Sequence, residues 1–310
     1  MDFVRTPWLA SHQQTRTSLA KRAVYRVARP LLSLRARRAL SPELLAATRP
    51  DLVLFTRGLP LEDRRAWAVR GVDLSRATVL VQGTGTGWDV ISWAALRPRE
   101  IIATDLYDFS ESWSEVAAYC NATYGVPVRF QAAPLEDHGF LAPGTVDLAV
   151  SDAVFEHCTD LGAVLAETRR VLRPGGRVYA SYGPLWYGPG GDHFSGRGGL
   201  ATIYNHVLLA PDAYRAYFAA QRRDDEDFQS GGRYVELDLF SKLTTRAYLG
   251  AFAAAGFTRE GLVYEAAAVG LRFRAAHPAL WERLLLAVHP RADRDDLLVR
   301  GHLVRLRAPR

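Results

Sequence analysis

Apolar residues in the middle of the chain form short runs separated by stretches with a helical period. The runs are rich in β-branched residues and predict five strands, at 78–81, 101–104, 126–130, 146–150 and 177–181. Helices are predicted at 88–96 and 111–124. Alternation of strand and helix is typical of a parallel sheet that is covered by helices on both faces.

A third helix is predicted from apolar residues that recur every three or four positions. These are Val154, Cys158, Leu161, Leu165, Thr168 and Leu172. Pro174-Gly175-Gly176 should end it. Beyond residue 181 the alternation breaks, and 182–235 is interpreted as an insertion of loops and short helices with an acidic run at 224–227. Further on, a helix at 244–255 and strands at 260–267 and 296–306 are predicted.

The N-terminal segment differs from the rest in charge. The chain carries a net charge of +6, but its first 40 residues carry +8, so the remainder is slightly acidic at −2. The basic residues could form an arm that binds nucleic acid or an anionic membrane surface, or a helical cap over the main domain, which is the preferred interpretation. Ser41-Pro42 predicts the start of a helix there.

Composition excludes several classes of protein. With 310 residues, of which 48% are hydrophobic, the chain can bury a large core without disulfides. Two cysteines, Cys120 and Cys158, cannot form a disulfide framework, so we expect a cytoplasmic protein. No secretory signal and no membrane-spanning helix are expected.

A glycine-rich turn follows the first predicted strand and indicates a nucleotide site. Gly83, Gly85 and Gly87 would let the backbone approach a ligand, and Asp105 at the end of the next strand could accept hydrogen bonds from ribose hydroxyls. Trp88 occupies the place of the third glycine in the dinucleotide fingerprint, which argues against a pyrophosphate.

Four segments together resemble class I S-adenosylmethionine-dependent methyltransferases of the small-molecule type. They are VLVQGTGTG at 79–87, IIATD at 101–105, VDLAVSDAVFEH at 146–157 and RRVLRPGGRVYAS at 169–181. The resemblance implies a Rossmann-like, doubly wound, mostly parallel α/β sheet. It also implies an enzyme with S-adenosyl-L-methionine as cofactor. We therefore expect a basic arm and helical cap at 1–70 and a methyltransferase domain at 71–310.

The resemblance also assigns cofactor-binding residues. The loop of Gly83, Thr84, Gly85 and Gly87 would hold the methionine part, and Asp105 would hold the ribose. The other expected contacts are Leu106 to the adenine, Leu135 and Glu136 at the adenine edge, and Asp152 and Ala153 near the sulfonium. Two positions depart from the family: Val81 and Ala133 stand where acids are usual, and Glu136 or Asp137 could substitute for the second.

The loop after the fifth predicted strand, 182–194, is the expected substrate site. His193 is predicted to be the catalytic base or a substrate-orienting group, with Asp192, Tyr187 and His206 as neighbours. The alternative is a glycine-rich lid whose histidine caps a helix. His157 is interpreted as a packing or capping residue. No metal is predicted, since no ligand spacing recurs around Asp192, His193 and His206.

These features favour O- or N-methylation of a small molecule in biosynthetic or specialised metabolism. A nucleic-acid methyltransferase is disfavoured because 151–154 lacks the motif that stacks a flipped base. S-adenosylmethionine-dependent chemistry other than methylation, and a non-catalytic cofactor-binding scaffold, remain alternatives. The oligomeric state is left open.

Overall fold

Eight strands form one sheet in the computed structural model, which describes residues 18–55, 59–222 and 232–310. The strand order is β1-β7-β8-β6-β5-β2-β3-β4, and only β8 runs antiparallel to its neighbours within this described part. The strands are β1 Leu52–Phe55, β2 Thr78–Gln82, β3 Glu100–Asp105, β4 Val128–Ala132, β5 Val146–Asp152, β6 Leu172–Tyr182, β7 Thr258–Ala266 and β8 Val299–Arg307.

Helices cover both faces of this sheet. They are α1 Leu19–Arg37, α2 Pro42–Thr48, α3 Leu61–Ala68, α4 Trp88–Ala94, α5 Ser110–Tyr124, α6 Leu161–Val171, α7 Asn205–Leu208, α8 Pro211–Gln221, α9 Gly232–Glu236, α10 Thr245–Ala254, α11 Ala268–Ala276 and α12 Pro278–Val288. The predicted doubly wound, mostly parallel α/β fold is confirmed.

The central strand shows why this sheet lies inside the protein. All five residues of β2 are buried. Leu80 belongs to the apolar core on one face, and Val79 and Val81 belong to the core on the other. Burial on both faces is the reason that parallel strands read as continuous apolar runs.

Several predicted boundaries were wrong. The third strand begins at Val128 rather than 126, directly after Pro127, which has no N–H for the sheet. The third helix begins at Leu161 rather than Val154, because the Asp160 carboxylate accepts a 2.9 Å hydrogen bond from the N–H of Ala163 and caps it there. Its C-terminal end is Val171, so Leu172 starts a strand. The prediction that Pro174-Gly175-Gly176 ends this helix was therefore wrong, because these residues lie inside β6.

The N-terminal segment is integrated into the sheet. The Ser41 hydroxyl caps α2 as predicted, by accepting a hydrogen bond from Leu44 N–H. Strand β1 then pairs in parallel with β7, so the segment 1–70 contributes a strand as well as helices. The proposed boundary at residue 70 therefore separates the cap from the sheet only in part.

Part of the basic arm is neutralised within the molecule. Arg22, Arg26 and Arg29 of α1 all form ion pairs with Asp63, at 2.9, 3.3 and 2.7 Å. Hydrogen bonds from these guanidinium groups hold the pKa of Asp63 below its usual value although burial raises it. These ion pairs hold α1 against α3.

The insertion contains short helices and loops, as predicted. Helices α7, α8 and α9 lie within it. The acidic run at 224–227 and the arm residues before 18 lie outside the described residues. Within the described ranges, none of the helices combines the length and apolar character needed to cross a bilayer.

Candidate functional site

The chain reverses its direction of sheet growth at β2. Strands β3 and β4 extend the sheet on one side of β2, whereas β5 and β6 extend it on the other. The loops that follow β2 and β5 diverge at such a point and leave a crevice at the carboxyl ends of the strands. The glycine-rich turn and residues 152–153 are the two loops that border this crevice.

The glycine-rich turn depends on backbone conformations that favour glycine. Gly83 has φ +70° and Gly85 has φ +52°. A Cβ on Gly83 would lie 2.4 Å from a methyl group of Val154, whereas a Cβ on Gly85 would meet no atom within 4 Å. The turn is therefore packed against the β5 loop at Gly83 and open at Gly85, where a ligand could approach the backbone.

Asp105 lies at the end of β3 and is fixed by the same turn. One carboxylate oxygen accepts a 2.7 Å hydrogen bond from the N–H of Gly85, and the other accepts one of 3.1 Å from Tyr107 N–H. Burial raises the pKa of Asp105 above its usual value, and these N–H groups oppose the change. The N–H groups of Gly85, Tyr107 and Leu106 occupy at most three of about four acceptor sites, so the carboxylate keeps a lone pair for a further donor.

An aromatic stack supports the turn from below. The Trp113 indole N–H donates a 2.7 Å hydrogen bond to the carbonyl of Gly85, and its ring stacks on Phe130 with centroids 5.2 Å apart. No motif pointed to these residues. They hold the position of Gly85 relative to Asp105.

The predicted adenine contacts differ in exposure. Leu106 is 56% exposed beside Asp105, so its apolar side chain is available to contact a planar ligand. Glu136 is exposed, whereas Leu135 is buried in the core. The structure brings the glycine turn, Asp105 and Leu106 together by their hydrogen bonds and sequence adjacency.

Asp152 is held by Arg65, a residue that no sequence motif singled out. Its carboxylate accepts a 2.6 Å hydrogen bond from the buried guanidinium of Arg65 on α3. Arg65 also donates to the Ser92 hydroxyl at 2.9 Å and lies 3.9 Å above the Trp93 ring. The cap helix thereby reaches the floor of the crevice.

Asp192 is a structural carboxylate in this fold. It accepts hydrogen bonds from the N–H groups of Phe194 and Ser195 at 3.1 and 2.7 Å and from the Tyr214 hydroxyl. Burial raises its pKa, but the nearby His206 and the Tyr214 hydroxyl hold the pKa below its usual value. With its oxygens engaged in this way, Asp192 shapes the loop.

His193 lies beside a second histidine. The His193 ring lies 4.7 Å from the His157 ring, centroid to centroid. Burial lowers the pKa of His193 to about 3 and that of His157 to about 4. Both imidazoles are therefore neutral at pH 7.

Glu156 completes this group. One of its carboxylate oxygens accepts a 2.8 Å hydrogen bond from Gly183 N–H, while the other is buried without a hydrogen-bond partner. Burial raises the pKa of Glu156 to about 7. Glu156 was missed in the sequence because it falls within the segment assigned to a continuous helix.

The comparison with protein families decides the class of the domain. Residues 80–180, which include the glycine turn, Asp105, Asp152 and Glu156, match a family model described as "Methyltransferase domain". This segment is a methyltransferase domain. It is of the class I type, and S-adenosylmethionine is the cofactor of such domains.

A second similarity covers only a short stretch of the chain. A 45-residue stretch is 51% identical to an uncharacterised 37.1 kDa protein of transposon TN4556 from Streptomyces fradiae. It covers 14% of this chain and 11% of that protein, so the match spans about a tenth of the relative's length.

Solved structures of methyltransferases resemble this chain distantly. An S-adenosylmethionine-dependent methyltransferase from Mesorhizobium loti is 19% identical, covering 79% of this chain and 97% of the other, with a TM-score of 0.46. The geranyl diphosphate C-methyltransferase from Streptomyces coelicolor A3(2) is 12% identical, covering 79% and 78%, with a TM-score of 0.46. Similarity at this level identifies neither acceptor nor activity.

Tyr187 and His193 are influenced by different charged groups. Tyr187 is buried in the core, and burial raises its pKa. The charged groups that influence this pKa are Arg291 and Asp296, which lie between α12 and β8. The charges of Asp192 and His206, in contrast, act on the pKa of His193, as expected of neighbours. Whether each of these residues takes part in catalysis stays a prediction.

A cavity of about 490 Å³ adjoins His193. It lies where β1 and β6 end and β8 begins, and its lining includes Phe55, Pro184, Pro189, Val269 and Arg300. Its place at the carboxyl edge of the sheet, beside the β6 loop, is where the acceptor was expected.

Proposed function

We propose that this chain is an S-adenosylmethionine-dependent methyltransferase that transfers a methyl group to an oxygen or nitrogen of a small molecule. One observation carries the proposal. The glycine turn and the Asp105 carboxylate meet at the switch point of the sheet through a 2.7 Å hydrogen bond, inside the segment that matches the methyltransferase family.

The residues at this point fit the cofactor. Asp105 has lone pairs for ribose hydroxyls, the open side of Gly85 admits a close ligand, and Leu106 offers an exposed apolar surface to a base. The bound cofactor would supply an electrophilic methyl group. The protein's part is then to hold and align both partners, since methyl transfer is an in-line displacement.

On the acceptor side we propose that His193 orients the substrate. A histidine whose pKa is about 3 is a poor general base at neutral pH, because a base works best when its pKa lies near the working pH. Its place in the wall of the cavity supports an orienting function. Of the two roles expected of His193, catalytic base and substrate-orienting group, we therefore propose the second.

A small-molecule acceptor is favoured over nucleic acid. The aromatic and proline-lined cavity suits a compact ligand better. We also propose a cytoplasmic location, because both cysteines are buried free thiols.

Calorimetry with S-adenosylmethionine tests the proposal. The parent protein should bind one equivalent, and Asp105→Ala should lose at least about 2 kcal/mol of binding free energy by removing the charged partner of the ribose. Asp212→Ala, at an exposed aspartate on α8, serves as the matched control and should bind normally. Absence of binding by the parent protein would overturn the assignment.

A further inference from the structure

Three metal-ligating side chains gather at the carboxyl edge of the sheet. The ligand atoms of Glu156, His157 and His193 all lie within 4.8 Å of one another. Two come from the turn after β5 and the third from the loop after β6. Residues 36 positions apart in sequence thus converge on one point beside the crevice.

Each of the three side chains has a ligand atom to spare. The second carboxylate oxygen of Glu156 and Nε2 of His193 are buried and have no hydrogen-bond partner. Nδ1 of His157 donates a 2.7 Å hydrogen bond to the carbonyl of Leu239. In a neutral imidazole this fixes the proton on Nδ1, so the lone pair is on Nε2.

The surrounding contacts are those that orient metal ligands. A backbone carbonyl bound to the far nitrogen of a histidine fixes its tautomer and its ring plane, and Leu239 does this for His157. The Gly183 N–H holds the other oxygen of Glu156. Tyr234 stacks on His157 with centroids 3.9 Å apart and limits its rotation.

We propose that Glu156, His157 and His193 bind a divalent transition-metal ion such as Zn²⁺ or Fe²⁺. Two imidazoles and one carboxylate suit these ions, whereas Mg²⁺ and Ca²⁺ prefer oxygen ligands throughout. An isolated buried carboxylate oxygen facing two imidazole nitrogens is costly unless something positive lies between them. The ion would remove that cost.

Binding requires only a small closure of the group. Two ligands about 2.1 Å from a tetrahedral ion lie about 3.4 Å apart, so atoms as far apart as 4.8 Å must approach by about 1.4 Å. Because His157 is held by Leu239 and Tyr234, this approach would fall mainly to the His193 side chain, whose Nε2 has no hydrogen-bond partner. Three protein ligands leave at least one coordination position open, as in catalytic sites.

The open position would take an oxygen of the acceptor, an inference that rests on the proposed function. A cation there would hold a substrate hydroxyl beside the cofactor and lower its pKa, so that the hydroxyl would lose its proton to solvent water. The oxygen would then take the methyl group from the sulfonium, and S-adenosylhomocysteine would be the leaving group. The acceptor class is then a molecule with a hydroxyl or carbonyl oxygen able to coordinate metal. The ion binds without oxidation or reduction.

Metal titrations of the chelator-treated full-length protein test the site. Binding of Co²⁺ is followed by visible absorption, and binding of Zn²⁺ is followed by calorimetry. One ion per chain should bind, with a visible spectrum that indicates nitrogen ligands. Glu156→Gln and His193→Gln should each weaken binding at least about tenfold, since even changes to outer contacts cost 10- to 100-fold. His289→Gln, at an exposed histidine, is the matched control.

The outcomes separate this proposal from the previous one. Binding that is unchanged in Glu156→Gln and His193→Gln, or no binding by the parent, overturns the metal site. Thermal melting without metal shows whether the variants are folded. Glu156→Gln keeps a side-chain oxygen that can accept the hydrogen bond from Gly183 N–H. Binding of S-adenosylmethionine by the chelator-treated parent is measured separately, so a failed metal site leaves the methyltransferase assignment standing.

Discussion

The Arg65 guanidinium donates a 2.6 Å hydrogen bond to the carboxylate of Asp152 and so joins the N-terminal cap to the end of a central strand. The two side chains are 5% and 17% exposed. Removing one partner of an ion pair that is shielded from water leaves a buried charge without its partner. The resulting loss of stability is larger than the stability that the intact pair contributes.

Arg65→Met should therefore lower the free energy of unfolding by about 3 kcal/mol, measured by urea denaturation. Arg64→Met is the matched control, since Arg64 is 4.0 Å from the same carboxylate and more exposed, and it should lose less than about 1 kcal/mol. Adding Asp152→Asn to Arg65→Met should restore part of the loss. Equal losses for the two arginines would contradict this account.

Gly83→Ala should disturb the cofactor turn. It places a Cβ 2.4 Å from Val154 at a residue with φ +70°, so we expect a loss of about 2–4 kcal/mol in unfolding free energy from crowding and backbone strain. Gly125→Ala, at φ +69° with nothing within 4 Å, isolates the backbone cost and should lose about 1 kcal/mol. Val154→Ala should partly rescue the first variant but not the second.

Asp89 should make stability depend on pH. Burial raises its pKa to about 7, although the Thr84 hydroxyl opposes the shift by donating a 2.7 Å hydrogen bond. From about pH 4 to 7 the unfolded chain releases this proton while the folded chain keeps it, so the contribution is complete at low pH and lost as pH rises to 7.

Asp89→Asn should remove that loss. Relative to the parent, the variant should gain about 2.5 kcal/mol of unfolding free energy between pH 5 and pH 8, because about two pH units of the loss lie in this window. Denaturation at both pH values measures the difference, with exposed Asp212→Asn as the control. A difference that is the same at the two pH values would show that Asp89 does not titrate in this way.

Leu106→Ala should separate ligand binding from stability. The side chain is 56% exposed, so its removal should change the unfolding free energy by less than about 0.5 kcal/mol. If it covers the adenine, the Kd for S-adenosylmethionine should rise about tenfold. Leu286→Ala, at a leucine that is 78% exposed on α12, should change neither quantity.

The sheet core and the cofactor turn could be predicted from the sequence because their signals are local. A buried strand is a run of apolar residues, and β2 with its glycine turn is contiguous from Thr78 to Gly87. The prediction that the third helix begins at Val154 shows that periodicity alone does not locate the end of a helix. The three- and four-residue spacing of apolar residues continues through the turn after β5. The cap formed by the Asp160 side chain nevertheless sets the start of the helix.

The rest depended on contacts between distant residues. Arg65 meets Asp152 across 87 positions, and His193 meets His157 through the folding of the β6 loop. Neither leaves a spacing that a reader of the sequence could recognise. His193 was named from the composition of its loop, whereas Glu156 and His157 lay in a segment read as helix, so the group they form was not foreseen.

Strand β1 has a consequence for the order in which the protein folds. It is synthesised long before its partner β7, and the Leu262 N–H donates a hydrogen bond to the Asp51 carboxylate across 211 residues. The N-terminal cap must therefore wait until most of the chain has been synthesised before its edge is covered. Synthesis that stops before β7 would leave β1 without that partner and open to pairing with other chains.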